Sequence, residues 1–96
     1  DVIPDEFVLH QNYPNPFNPS TDIKFSLPSS ERVHLVIYDL LGNVVRDMVN
    51  EDLNAGMYTY KWMGENQNGS KVSAGMYFYQ IQAGSFIQTR KMILLK

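Results

Sequence analysis

Asp22-Ile23-Lys24-Phe25-Ser26-Leu27, then Pro28-Ser29-Ser30-Glu31, then Val33-His34-Leu35-Val36-Ile37-Tyr38 is the stretch on which the fold turns. In the first run apolar residues alternate with polar ones, the period of a strand with one dry and one wet face. Pro28 sets its own φ for an early turn position and the serines offer local hydrogen bonds, so the strand stops there. The next run puts Val33, Leu35 and Ile37 on one face and His34, Val36 and Tyr38 on the other. Asp39-Leu40-Leu41-Gly42-Asn43 breaks that pattern, with Gly42-Asn43 able to take positive φ. Val44 to Val49 returns, and so short a link cannot hold a parallel crossover, which makes the pair an antiparallel hairpin. Neighbours in sequence are expected to be neighbours in space.

Further along, Ala55-Gly56 punctuates the chain before Tyr58, Tyr60 and Trp62 share one face and Met57, Thr59 and Lys61 the other. Trp62 is the strongest single core candidate. Residues 64–70 are polar, with Asn68-Gly69 signalling a reversal. Met76 to Gln82 sets Tyr77, Tyr79 and Ile81 against Met76, Phe78, Gln80 and Gln82; Ala83-Gly84 turns the chain, and Phe86 to Leu95 is the last strand, closed by Lys96. A short strand near Phe7–Leu9 brings the number to about seven, at the spacing of an all-β sandwich. No helical period survives over about eleven residues, and no repeat is present.

The length, 96 residues, suits one domain spanning residues 1–96, and 12% aromatic content with 44% apolar residues implies a packed core. All ten acids lie in residues 1–65, while residues 66–96 carry four cations and no acid. Those cations are spread out and lack the clustering of a nucleic-acid-binding stripe, so no nucleic-acid partner is expected. There is no cysteine, hence no disulfide framework and no thiolate nucleophile. No run approaches the roughly 18 apolar residues of a membrane span. Asp1 in place of Met leads to the expectation of a processed or excised piece, with any export signal upstream.

Residues 9–21, Leu9-His10-Gln11-Asn12-Tyr13-Pro14-Asn15-Pro16-Phe17-Asn18-Pro19-Ser20-Thr21, stand apart. Three prolines remove backbone donors and exclude a central strand, so residues 1–21 are expected to wrap the edge of a sandwich core formed by residues 22–96. Tyr13 and Phe17 would plug apolar gaps, and the Asn side chains would bond backbone groups that have no ladder partner.

This segment resembles the opening of the type A C-terminal sorting domains of the type IX secretion system, and the resemblance runs through the chain. It includes residues 37–45 with Tyr38, Asp39 and Gly42, then Ala55-Gly56, Trp62 with Gly64, Asn68-Gly69, residues 72–79 with Gly75 and Tyr77, and Ala83-Gly84. It closes on Thr89-Arg90-Lys91-Met92-Ile93-Leu94-Leu95-Lys96. The same sandwich resembles the Ig-like domain of flagellar hook-capping proteins.

The resemblance implies an immunoglobulin-like antiparallel β-sandwich that addresses a covalently fused upstream cargo to the outer-membrane translocon and to sortase components. The cargo would be exported across the outer membrane to the cell surface or the medium, with Thr89 to Lys96 as the segment read. It also implies Asn12, Tyr13, Pro14, Asn15, Pro16 and Phe17 as a structural motif. Met63 stands where the family often has Asp after the Trp, and Glu65 follows, which bears on any cation-binding idea for that loop.

No catalytic, cofactor or metal site is expected. His10 and His34 lack a nucleophile and an orienting group at any suggestive spacing. An EF-hand is excluded because Gly64 and Gly75 occupy its first and twelfth positions, leaving only a looser Ca²⁺ site at Asp39 or Glu65 as an alternative. Asn68-Gly69-Ser70 fits a glycosylation sequon but reads as a turn. Tyr38, Tyr58 and Phe78 are the residues of a sugar-binding platform if the module is a carbohydrate-binding accessory, against the reading that they pack within the sheets. A structural or assembly module is the other alternative. In the last strand, Arg90, Lys91 and Lys96 either blunt an edge or are read by a receptor, through their charge or by strand addition.

Overall fold

Each alternating run forms a strand in the computed structural model, which describes residues 3–95. The strands are β1 (Val8–Leu9), β2 (Thr21–Leu27), β3 (Glu31–Tyr38), β4 (Val44–Leu53), β5 (Gly56–Trp62), β6 (Gly75–Ala83) and β7 (Phe86–Leu94). The fold is all-β, and the strands lie in two antiparallel sheets, ordered β1-β2-β5 and β4-β3-β6-β7. Among the described residues there is no helix, so none is long and apolar enough to cross a membrane.

Sequence neighbours pair in only three places, β1 with β2, β3 with β4 and β6 with β7. The expectation that they pair throughout is corrected at the other junctions, where the chain crosses between sheets. The reason is that each strand has one dry face, and burying seven such faces takes a second sheet. Pro28–Ser30 carries β2 across to β3, and β5 therefore pairs with β2, in register from Thr21–Trp62 to Leu27–Gly56.

The dry faces meet as read from the alternation. Ile23, Phe25 and Leu27 of β2 pack with Val33, Leu35 and Ile37 of β3, Tyr77, Tyr79 and Ile81 of β6, and Met92 and Leu94 of β7, all buried. Trp62 is buried at the end of β5. Tyr77 meets it edge-on at 5.3 Å between ring centroids, and its indole N–H donates to the Glu65 carbonyl at 2.9 Å.

β4 runs to Leu53, beyond the predicted end at Val49. Asn50, Glu51 and Asp52 are exposed on this edge strand, so no alternation marked them as strand. Two register shifts against β3 leave Met48 and Val45 as extra residues on β4 and turn both toward the core.

Candidate functional site

Residues 10–20 form a strap that begins beside β2 and ends on β7. His10 N–H donates to Lys24 O at 3.0 Å, and Tyr13 and Asp22 exchange backbone bonds at 3.0 and 2.9 Å. The strap then crosses the open side of the sandwich. Phe17 N–H donates to Ile93 O and Phe17 O accepts from Leu95 N–H, both at 2.9 Å, a parallel bridge to Leu94. With Pro14, Pro16 and Pro19 lacking donors, the segment cannot make a continuous ladder, and side chains take over.

Asn12 is 2% exposed, and its Nδ2 donates to Thr21 Oγ1 at 2.9 Å and to Pro14 O at 3.2 Å. Thr21 Oγ1 in turn donates to the same carbonyl at 2.8 Å. Asn15 Oδ1 accepts from Ile93 N–H at 3.0 Å, and Gln11 Nε2 donates to Lys91 O at 2.8 Å. Below them the Tyr79 hydroxyl accepts from Asn12 N–H and donates to His10 O, each at 2.7 Å. Burial pushes that hydroxyl up to about 12, with the Asn12 N–H and the Arg90 charge pulling the other way.

Phe17 is the plug of the strap, 1% exposed and tilted against Trp62 at 5.6 Å. Tyr13 is not a plug. Its side chain is 80% exposed, because the backbone exchange with Asp22 turns it away from the core.

The segment 89–96 divides by side-chain direction. Thr89, Lys91, Ile93 and Leu95 are exposed on the outer face, whereas Met92 and Leu94 are core residues. Arg90 is half-buried and spends its Nε–H on Leu9 O at 2.6 Å, a bond between the two sheets rather than a cation at a free end. Lys96 lies outside the described residues.

Residues 15–85 match the family model described as the FlgD Ig-like domain. The chain belongs to that family. The FlgD Ig-like match includes Phe17 of the strap and strands β2 to β6, and it ends before β7. No curated protein matches the chain. Among solved structures, it is similar to part of dimeric latent PorU from Porphyromonas gingivalis, at 22% identity and a TM-score of 0.73, covering 97% of this chain and 10% of that one. It is also similar to part of PorZ, described as an essential bacterial surface component of the type IX secretion system of the same organism. There the identity is 15% and the TM-score 0.63, with 92% of this chain and 11% of that one covered. At these identities the likeness is one of fold, and this FlgD Ig-like chain spans about a tenth of either protein.

Other residues singled out in the sequence serve the turns of the FlgD Ig-like sandwich. The Asp39 carboxylate accepts from the N–H groups of Leu41 and Asn43 at 2.9 Å, while Gly42 takes φ 85°. The Asn43 N–H does most to hold that carboxyl below its ordinary value, Leu41 and Gly42 add to it, and burial opposes them. Glu65 serves a different turn, 3.7 Å from Lys71 Nζ. Among the described residues no three His, Cys, Asp or Glu side chains come together. Gly69, at φ 84°, lies in a loop organised by Asn66 Oδ1, which accepts from Asn68 and Ser70 N–H at 3.0 Å. Gly75 opens β6 opposite Leu94.

Tyr38, Tyr58 and Phe78 do not share a surface. Tyr38 and Phe78 are register partners on the outside of one sheet, while Tyr58 stacks on Phe25 at 5.4 Å between the sheets. One arrangement escaped the sequence reading altogether, the His34–Asp47 pair at 3.0 Å. A bulge residue lies between Asp47 and its continuation on β4, so no regular spacing announces the contact.

Proposed function

We propose that this FlgD Ig-like domain is a non-catalytic sorting signal, which directs a larger secreted protein through the type IX outer-membrane translocon to the cell surface or to release. The observation that supports this reading is the superposition of nearly the whole chain on part of PorU and of PorZ, the latter a surface component of that secretion system. The resemblance of residues 9–21 and 89–96 to sorting domains points the same way. Physically, the strap holds β7 in one conformation, so a receptor reading Thr89, Lys91, Ile93 and Leu95 meets them already ordered. A domain retained in the mature protein as an assembly module is the second reading, supported by the FlgD Ig-like match.

The test is a fusion of the chain to a passive reporter in a host with the secretion system. Deleting Ile93–Lys96 is expected to strand the reporter inside the cell. Because that deletion also removes the partners of Phe17 and Asn15, a Lys91→Ala/Leu95→Ala double variant, altered only at exposed side chains, is run beside it. Surface delivery undiminished by both changes rules out the terminal segment as the signal.

A further inference from the structure

The strap covers only part of the β7 edge. Alternate residues of a strand send their N–H and C=O groups to opposite sides. Gln11, Asn15 and Phe17 engage Lys91 O, Ile93 and Leu95 N–H on the side away from β6. By the same alternation the N–H and C=O of Ile87 and Thr89, and the N–H of Lys91, point out of that side of the sheet. Among the described residues none of them has a partner.

Natural sheets blunt their edges with bulges, prolines or covering loops. β4, the other edge of this sheet, carries two register shifts and a docked loop. There Gln67 N–H donates to Val45 O at 3.0 Å, and Gln67 Oε1 accepts from Asp47 N–H at 2.7 Å. β7 has neither bulge nor proline, and its register with β6 is unbroken from Ala83–Phe86 to Gly75–Leu94. The strand itself carries two cations, Arg90 and Lys91, and no acid. Residues 66–96 contain no acid, Arg90 is engaged with Leu9, and the exposed Lys91 forms no ion pair among the described residues.

We infer that the β7 edge from Ile87 to Lys91 binds an extended segment of a partner protein by strand addition, and that this segment places a carboxylate beside Lys91. Backbone bonds supply the pairing and the lysine selects the charge. A second copy of the chain fits worse, since so short a window buries too little area for a stable dimer and brings two acid-free edges together. The inference rests on the export reading only for the partner's identity as part of the export machinery.

The test uses the purified chain and two blocked peptides of about seven residues, the length of an ordinary strand. One alternates valine with glutamate and the other valine with lysine, and amide exchange is followed by NMR. The glutamate peptide is expected to slow exchange at Thr89 and Ile87 by on the order of tenfold, and the lysine peptide to leave it unchanged. Thr89→Pro removes one outward N–H without touching the β6 ladder and abolishes the effect, whereas Thr89→Val preserves it. Lys91→Glu, at an exposed side chain, reverses the peptide preference and keeps the test decisive if Thr89→Pro does not fold. Equal protection by both peptides, protection on β5 instead of β7, or no protection overturns strand addition. Reporter export is scored in parallel. Failure of the unaltered fusion removes the export reading and leaves the peptide result intact, whereas normal export by folded Thr89→Pro and Lys91→Glu fusions overturns the partner's assignment to the export machinery.

Discussion

Tyr79→Phe deletes one oxygen and leaves the buried ring in place, so apolar burial is unchanged and the loss falls on hydrogen bonds alone. That oxygen serves both Asn12 N–H and His10 O at 2.7 Å. Stranding the buried Asn12 N–H costs about 1–3 kcal/mol, and the His10 carbonyl, on an exposed residue that water can reach, adds less. The same hydroxyl carries a pH signature. Its value is about 12 in the folded chain against 10.0 without the fold, so between those values the unfolded chain has already lost a proton that the folded chain keeps. Stability is therefore undisturbed by this group below pH 10 and falls on raising the pH toward 12, by roughly 2–3 kcal/mol if the whole shift is realised. Tyr79→Phe removes that increment, and the gap between variant and parent narrows as the pH climbs. Urea unfolding followed by circular dichroism at pH 7, 9 and 11 measures both effects. A cost below roughly 0.5 kcal/mol at pH 7, within the range of an ordinary surface change, refutes the hydroxyl's role in seating the strap. So does a gap that stays constant with pH.

Phe17→Ala empties the site beside Trp62 and is expected to cost about 3–5 kcal/mol by urea unfolding, with faster exchange of the Leu95 amide. Arg90→Ala, which removes a charged donor from Leu9 O, costs about 1.5–3 kcal/mol, whereas Lys91→Ala stays within about 0.5 kcal/mol; equal costs contradict the division of β7 into inward and outward residues. Asp39, held below its ordinary value by the turn N–H groups, contributes stability that is present above pH 3.8 and lost as the pH falls through its lowered value. Asp39→Asn is expected to flatten that acid limb of the unfolding curve, and an unchanged limb assigns the acid response elsewhere.

The strands were readable because period two and β-branched or aromatic residues mark a half-buried strand wherever they occur, as at Ile23-Phe25-Leu27 and Tyr77-Tyr79-Ile81. Alternation says which face is dry but not which strand lies alongside, so the β2–β5 and β3–β6 pairings were not in the pattern. The far half of β4 was hidden because an exposed edge strand is free to be polar. In the strap, Tyr13 and Phe17 are equivalent by composition. Only the backbone partners, Asp22 for one and Ile93 with Leu95 for the other, decide which ring is buried. Tyr79 could be assigned to the core from its spacing, but its hydroxyl partners lie 67 and 69 residues away, beyond any local signal. In the terminal segment the charges were visible and their employment was not, since Arg90 and Lys91 are adjacent in sequence and opposite in direction.

The bonds from Asn15 to Ile93 and from Gln11 to Lys91 join residues 78 and 80 positions apart. Contacts of such span form late, because the loop they close carries its entropic cost before any gain from packing. A nascent chain therefore holds Phe17 and Asn15 without their β7 neighbours until residues 91–95 leave the ribosome. Proteolysis of a ribosome-stalled series should find the strap open in every chain that stops short of Ile93 and closed once Leu95 is free. The strap in this way closes only after β7 has been made, and a chain truncated before Ile93 lacks the closed edge.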